Sequence, residues 1–277
     1  MRELRLVSRQ MQKLTEILAG EKNRLHKVLT DGGIRLSAVV SDLHGASARA
    51  MIKGLLAGEP PEQVLSYASK RLKASEEELL DALDGEFSDT HRFVLREILA
   101  HIEELEARIQ GFQQHLLSAL QAHAPLLQAL QTIPGLDAVG AAMLLVEIGT
   151  DMEAFGSSEK LAAWAGVCPG NNESAGKRKA GRTRKGNPYV RRILCEAANA
   201  ASRTRSALAE KFKALLVRRG RKRAIFALAH KILKIVFVLI RRGDYYRDAT
   251  IDYEAISVGR NAPRWIRMLR KYGYITA

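Results

Sequence analysis

The stretch that decides the fold is ALQTIPGLDAVGAAMLLVEIG, residues 129–149. Its apolar residues follow a helical pattern that is interrupted at Pro134-Gly135 and resumes from Val139. Proline cannot continue the first helix, and glycine adopts the backbone angles of a tight turn without steric cost. Gly140 has no side chain, which lets the second helix approach a neighbour closely. The stretch therefore predicts two helices joined by a tight turn, a helix-hairpin-helix element.

Helical patterns also dominate the sequence on the N-terminal side of this stretch. Apolar residues recur at alternating spacings of three and four within residues 3–29 and again within residues 87–120, as in a heptad repeat. Stripes of this kind pair long helices with each other or with another subunit, so we expect a homo-oligomer. Between them, KASEEELLDAL (73–83) predicts a short acidic helix with Ser75 at its N-cap.

The composition changes along the chain in a way that predicts two domains. Signals for β-strands are weak throughout, so the fold class is mainly α. From about residue 121 onward glycines cluster, acids become scarce and basic loops begin. We expect a helical, coiled-coil-like region over residues 1–122 and a compact, basic, helical domain over residues 123–277, which contains the helix-hairpin-helix element and a basic loop.

The charge of the chain points to a polyanionic partner. Its 277 residues include 44 Lys and Arg against 30 Asp and Glu, a net charge of +14. Nucleic acid is therefore the first partner to expect, and an anionic membrane surface the second. The most apolar run, residues 224–240, contains a histidine and two lysines and is short for a bilayer, which favours a buried helix. Cys168 and Cys195 lack zinc-like spacing and no apolar leader opens the sequence, so we expect a cytoplasmic protein with no metal site of its own.

The predicted hairpin offers one place for a nucleic-acid backbone. Amides at the N-terminus of its second helix can hold a phosphate oxygen, and Gly135 and Gly140 leave room for a strand to approach. Contacts of this kind fix position on the backbone and do not read sequence. An ordinary helical hairpin without a ligand has the same pattern, because Pro-Gly turns are common.

The most basic segment is CPGNNESAGKRKAGRTRKGNPYVRR, residues 168–192, with eight Lys or Arg and one acid. Its spaced glycines, and the lack of apolar periodicity from 171 to 188, predict a surface loop or an extended hairpin. Pro188 then suits the first position of a helix. The side chains expected to bind phosphates or extend the phosphate surface are Lys177, Arg178, Arg182, Arg184, Lys185, Arg191 and Arg192.

Within this segment Ser174 is a candidate nucleophile. A serine that attacks phosphorus needs a base for its proton and cations for the charge that develops on the phosphoryl oxygens. The clustered guanidinium groups suit the second task. Glu173, or a residue brought in from elsewhere, would have to supply the base. Non-specific adhesion explains the same charge without any reaction, so both interpretations stay open at this point.

The residues assembled so far resemble the transposases of the insertion-sequence 110 family, with the related elements 116 and 902. The matching blocks are residues 21–42, 132–155, 161–192 and 222–233. The resemblance implies DNA excision and insertion through a covalent phosphoserine link, with a serine that follows an acid and precedes a small residue. That pattern falls on Ser174 in the triplet Glu173-Ser174-Ala175.

The resemblance also implies parts beyond the serine domain. Proteins that this sequence resembles contain three parts. The first is a domain similar to a Holliday-junction resolvase, with an Asp-Glu-Asp-Asp magnesium site, and it is followed by a coiled-coil region and then by the serine domain. Some are directed by a structured bridge RNA. Residues 1–40 show no apolar strand that bears an aspartate, so we expect the magnesium-binding half to be missing. The alternatives are an inactive, truncated module that binds DNA or RNA, and a structural helical protein that binds another polyanion.

Overall fold

The computed structural model confirms that the chain is mainly helical. It describes residues 1–168, 173–174, 176–178, 183, 185–248 and 252–275, with the backbone alone at positions 173, 174, 177, 178, 253, 254 and 257. Backbone contacts divide the chain into two compact units: a middle unit of residues 10–113, and a terminal unit of residues 1–9 and 114–277. The domain division near residue 122 stays a prediction.

The first part of the chain consists of helices joined by short connections. They are α1 (Leu4–Asp31), α2 (Leu36–Val39), α3 (Ala46–Ala57), α4 (Pro61–Val64), α5 (Glu76–Leu83) and α6 (Asp89–Ala119), with a 3₁₀ turn at Leu65–Tyr67. Apolar side chains of α1, α3 and α6, among them Leu25, Met51 and Ile102, belong to one core in the middle unit. The predicted cap of α5 is confirmed, because Ser75 and Glu78 each bond the other's backbone amide. A coiled-coil pairing of the long helices stays a prediction.

The terminal unit is built around one buried helix. Its helices are α7 (Ala124–Gln131), α8 (Ala138–Ile148), α9 (Ser158–Trp164), α10 (Pro188–Ala201), α11 (Ala207–Arg219), α12 (Arg221–Arg242) and α13 (Tyr253–Lys271), with a 3₁₀ turn at Gln121–His123. Helix α12 packs against α7, α9, α10 and α11. Its buried residues include Leu228, Ile232 and Val236, which confirms the prediction of a buried helix over the most apolar run.

Two short strands complete the described structure. Strand β1 (Glu173–Ser174) pairs in antiparallel fashion with strand β2 (Lys177–Arg178). They lie in the part of the chain between α9 and α10 where the sequence predicts a loop or an extended hairpin. In the described residues, no helix combines the length and the apolar character that a membrane crossing requires.

Candidate nucleic-acid interface

The backbone of Ser174 lies in the short ribbon formed by β1 and β2. The register sets Ser174 opposite Lys177, and Glu173 opposite Arg178. Opposed residues of an antiparallel pair have Cα atoms about 4.5–5.5 Å apart, so a basic residue is the cross-strand neighbour of Ser174. Gly176, between the strands, has a φ of 72°, a left-handed conformation that favours glycine. The extended hairpin expected here is present at the described positions.

The structure describes some of the predicted phosphate-binding residues fully, some by their backbone alone, and others not at all. Lys177 and Arg178 are described by their backbone on β2, and Lys185 is exposed at the C-terminal end of the loop. Arg182 and Arg184 lie outside the described residues. The roles of these five residues, and that of Ser174, therefore stay predictions.

The two ends of the basic loop meet beside α9. Gly166, just after this helix, has a φ of 70°. A Cβ atom on Gly186 would lie 2.3 Å from the amide nitrogen of Gly166 and 2.5 Å from the carbonyl oxygen of Ala165. Both distances are well inside van der Waals contact, so residue 186 must be glycine for the backbones to pass this closely. The backbone at residue 186 thus lies directly against the backbone that ends α9.

Asn187 fixes the start of α10 directly after this crossing. Its Oδ1 atom accepts hydrogen bonds from the amides of Tyr189 (2.9 Å) and Val190 (3.2 Å), which makes it the N-cap. Pro188 holds the first helical position, as predicted. The other end of the same side chain, Nδ2, donates a hydrogen bond to Oε2 of Glu147 at 2.9 Å. The loop therefore ends on a residue that is tied to α8.

Glu147 is a carboxylate in the interior, only 1% exposed. Arg9 donates to both of its oxygens, from Nε at 2.8 Å and from Nη2 at 3.0 Å. Burial pushes the pKa of Glu147 upward, but the hydrogen bonds from Arg9 and Asn187 outweigh it and leave the pKa below its usual value. The group is therefore ionised at neutral pH and bonded on both oxygens.

The arginines of α1 complete this network. Arg5 donates to the backbone carbonyls of Val146 and Glu147, both at 3.1 Å. The guanidinium of Arg9 lies 4.5 Å from the ring centroid of Tyr189, in the first turn of α10. Sequence reasoning missed this network. Its one local signal is a lone acid, Glu147, at the end of the apolar run MLLV.

Gly135 forms the predicted turn between α7 and α8, with a φ of 87°. A Cβ atom there would lie 2.4 Å from the carbonyl oxygen of Ala197 and 2.4 Å from the amide nitrogen of Ala201, both on α10. The absent side chain therefore makes room for the backbone of α10. Contact between Gly135 and a nucleic acid stays a prediction.

Gly140 lies in the first turn of α8, where an amide could meet a phosphate. Its amide already donates to Oδ1 of Asp137 at 2.7 Å, because Asp137 is the N-cap of the helix. A carboxylate at this end is favoured by the helix dipole, as a phosphate would be, so the two anions compete for one place. A phosphate contact at Gly140 stays a prediction, with Asp137 as its nearest competitor.

The geometry of the hairpin, the loop ends and α10 falls within one match to a known family. Residues 127–213 match the family model described as Transposase IS116/IS110/IS902 family. This part of the chain is therefore similar to the transposases of that family. Residues 127–213 are called the transposase domain from here on; they begin within α7 and end within α11.

Two relatives illustrate the range of the similarity. The transposase for insertion sequence element IS1111A of Coxiella burnetii is 30% identical over 159 residues, which cover 56% of this chain and 43% of that protein. The insertion element IS110 uncharacterized 43.6 kDa protein of Streptomyces coelicolor is 27% identical over 185 residues, 61% of this chain and 43% of that protein. The chain thus spans less than half the length of these relatives.

Two further predicted residues of the transposase domain lie in the first two turns of α10. The guanidinium of Arg191 lies 5.4 Å from the ring centroid of Phe226 on α12. Arg192 forms an ion pair with Glu196 one turn later, at 3.0 Å. Both arginines are half-buried, so only the solvent-exposed part of each guanidinium group can contact a ligand. Phosphate binding by either residue stays a prediction.

Neither cysteine of the transposase domain is suited to compete with serine as a nucleophile. Burial raises the pKa of both Cys168 and Cys195, so both thiols stay protonated at neutral pH. Among the residues that the structure describes, no three His, Cys, Asp or Glu side chains are grouped as metal ligands. The described side chains therefore offer no grouped ligands for a magnesium ion.

Proposed function

We propose that this chain cuts and rejoins DNA through a covalent bond to Ser174. The observation that carries the proposal is the position of the basic loop, which lies entirely inside the match to the transposase family. The described geometry adds support. Ser174 has a lysine as its cross-strand neighbour, and the ends of the loop close on each other at Gly166 and Gly186.

The proposed reaction is an exchange of phosphodiester bonds. A base takes the hydroxyl proton of Ser174 while Oγ attacks a phosphorus atom of the DNA backbone. An Oγ–P bond forms, the bond from phosphorus to one deoxyribose oxygen breaks, and that oxygen takes up a proton. The DNA end is now held as a phosphoserine. A hydroxyl group of another DNA end then attacks the same phosphorus, and Ser174 is released with its proton restored.

The basic loop would hold the phosphate during this exchange. Charge develops on the non-bridging oxygens, and guanidinium and ammonium groups stabilise it most when they are already in place. We assign this role to Arg178, Arg182, Arg184 and Lys185. Glu173 or a residue outside the loop would act as the base. Lys177, Arg191 and Arg192 would position the strand.

Other parts of the proposal concern partners. The turn between α7 and α8 would act as a helix-hairpin-helix clamp on a DNA backbone. The heptad-patterned helices α1 and α6 would join copies of the chain through a coiled coil. A structured guide RNA would select the DNA. Magnesium would be needed only with the carboxylates of a resolvase-like domain. The reaction would take place in a bacterial or archaeal cytoplasm.

The test is a search for the covalent intermediate. The purified chain is incubated with end-labelled duplex DNA that covers the junctions on either side of its gene, with and without magnesium and with and without host RNA. We expect a protein–DNA adduct on a denaturing gel for the wild type and for Ser66→Ala, in which an exposed serine of the middle unit is removed. Ser174→Ala should form none. An adduct of equal yield with Ser174→Ala contradicts the assignment of the nucleophile.

The same samples test the alternative of an inactive module that binds DNA or RNA. Its signature is salt-dependent binding of the labelled DNA in a native gel without any adduct in any arm. Binding by the wild type and by Ser174→Ala would then be equal, because the serine hydroxyl contributes little to the electrostatic part of affinity. That combination of results would show that the chain binds nucleic acid without cutting it, and it would contradict the proposed transposase activity.

A further inference from the structure

A cleft of about 470 Å³ lies in the terminal unit. It is lined by the first half of α11, by α12 from Lys231 onward, and by residues 244–247 that follow α12. Cavities of several hundred Å³ are the size that holds small organic molecules. The cleft is therefore large enough for one nucleotide and too small for a duplex.

Positive charge dominates the lining of this cleft. Lys211 of α11 and Lys231 and Lys234 of α12 line it together with Arg242. Lys234 bonds Glu159 at 2.6 Å, whereas Lys211 and Lys231 have no ion-pair partner among the described residues. Burial, and next the charges of the other two lysines, lower the pKa of Lys211. An anion placed between these lysines would relieve their mutual repulsion.

The same cleft presents an apolar and aromatic surface. Val238 of α12 and Tyr245 belong to the lining, and they are 40% and 51% exposed. Exposed aromatic rings next to cations are the surface on which unpaired bases stack. Neither side chain is needed to fill the core, because both remain open to solvent. The site thus combines an aromatic ring on which a base can stack with cations that can bind a phosphate.

The segment that carries Tyr245 is held in place by its neighbours. The amide of Tyr246 donates to Oγ1 of Thr132 at 2.8 Å, and the hydroxyl of Tyr246 donates to Oδ1 of Asp248 at 2.7 Å. The Asp248 carboxylate in turn accepts from the amide of Ala207, at the start of α11. The backbone that carries Tyr245 is therefore held in place, which lowers the entropy lost when a ligand binds.

We infer that this cleft binds one unpaired nucleotide of a single-stranded nucleic acid, with its base on Tyr245 and its phosphate on Lys211 and Lys231. The inference rests on the proposed function and deepens it, because it names the form of nucleic acid that this part of the chain takes. Strand exchange exposes single-stranded ends, and a site of this kind would hold one end while the basic loop holds a phosphate elsewhere.

The test compares two fluorescein-labelled probes, an oligothymidine strand and a duplex of equal length, by fluorescence anisotropy. Tyr245→Ala should weaken binding of the single strand about 5- to 150-fold, the range expected for the loss of one stacked base, and leave duplex binding unchanged. Tyr245→Phe keeps the ring and should bind like the wild type. Because Tyr245 is half exposed, both variants are expected to fold, which circular dichroism checks.

A second pair of variants tests the cations. Lys211→Ala with Lys231→Ala should reduce the slope of the logarithm of single-strand affinity against that of salt by about 0.7, the contribution of one neutralised phosphate. The matched control is Lys27→Ala with Lys73→Ala, two exposed lysines of the middle unit, which should leave this slope unchanged. An equal loss of slope in both double variants would overturn the assignment of the phosphate to the cleft.

Cross-linking locates the base. An oligothymidine strand that carries 5-iodouracil should cross-link on irradiation to the peptide that contains Tyr245. Two results would overturn the inference: single-strand binding that is unchanged in Tyr245→Ala, or a cross-link confined to residues 168–192. If the wild type still binds the duplex, either result leaves the proposed function standing. Failure of the wild type to bind either probe would instead count against both.

Discussion

Glu147 carries a negative charge in the interior of the terminal unit, and each of its oxygens accepts a hydrogen bond. A buried carboxylate is costly unless it is paired and fully bonded. Here the bonds join three distant parts of the chain, since Arg9 belongs to α1, Glu147 to α8 and Asn187 to the cap of α10. The residue therefore fixes the start of α10 relative to α1 and α8.

Removal of this charge should destabilise the terminal unit. Glu147→Gln keeps the shape but leaves Arg9 without its counter-ion, and we expect a loss of about 2 kcal/mol, since the side chain of Arg9 keeps part of its hydration. The matched control is Glu196→Gln, which breaks an exposed pair with Arg192 in the same unit and should cost no more than about 0.5 kcal/mol. Urea unfolding followed by circular dichroism measures both. Equal midpoints for the two variants would contradict the structural role of Glu147.

Asp137 decides whether the turn between α7 and α8 can hold a phosphate. Asp137→Ser keeps an N-cap for α8 but removes the negative charge beside the amide of Gly140. If the hairpin is a clamp, duplex affinity at low salt should rise about two- to fivefold, the effect of one charge at a helix end. Asp151→Ser, which removes an exposed acid of the same unit, should leave affinity unchanged. Unchanged binding by Asp137→Ser would remove the hairpin from the proposed interface.

Helices α3 and α6 of the middle unit are joined by an ion pair that titrates in acid. Two hydrogen bonds from Arg49, aided by Lys22, lower the pKa of Glu106 from 4.5 to about 2. A carboxyl with a lowered folded-state pKa adds stability that is present above about pH 4.5 and is lost as the pH falls toward about 2. Glu106→Gln should therefore reduce stability at pH 7 and flatten its decline between these values. Denaturant titrations at several pH values check this, and parallel declines for both proteins would contradict it.

The crossing of two backbones at Gly186 makes a prediction about the basic loop. Gly186→Ala forces a Cβ atom against the backbone of Ala165 and Gly166, and we expect a loss of about 3 kcal/mol or more, as for other severe overpacking. Gly259→Ala is the control, since a Cβ there meets open space on α13 and should stabilise that helix slightly. Thermal unfolding compares the two. A melting temperature of Gly186→Ala equal to that of the wild type would show that the loop ends can separate at little cost.

Local sequence patterns predicted the elements of this fold better than the contacts between them. Apolar periodicity found the long helices, and Ser75 and Pro188 marked two helix starts correctly, because caps depend on neighbours along the chain. The bonds of Glu147 to Arg9 and Asn187 join residues 138 and 40 positions apart, and no local pattern encodes such a pairing. The glycines show the same limit. The local sequence predicts the turn at Gly135. The close packing of Gly135 against α10 is visible only in the tertiary structure.

The affinity of the whole molecule for duplex DNA should depend on the phosphate contacts of the basic loop and not on net charge alone. With six or more phosphate contacts, affinity should fall about 10³- to 10⁵-fold between about 50 and 200 mM salt. Arg182→Ala with Arg184→Ala should reduce the slope of the logarithm of affinity against that of salt by about 1.8, since each contact contributes about 0.9. Lys27→Ala with Lys73→Ala removes the same charge from the middle unit and should leave the slope unchanged. Equal slopes for both double variants would mean that the basic loop does not contact phosphates.

The meeting of the loop ends at Gly166 and Gly186 has a consequence for how such a protein can diversify. Because the chain departs and returns at one point, insertions, deletions and exchanges between these glycines need not move α9 or α10. Such changes would keep the packing of the two helices because the contact between residues 165–166 and residue 186 is retained. Changes in the length or charge of this segment should therefore cost the helices little stability.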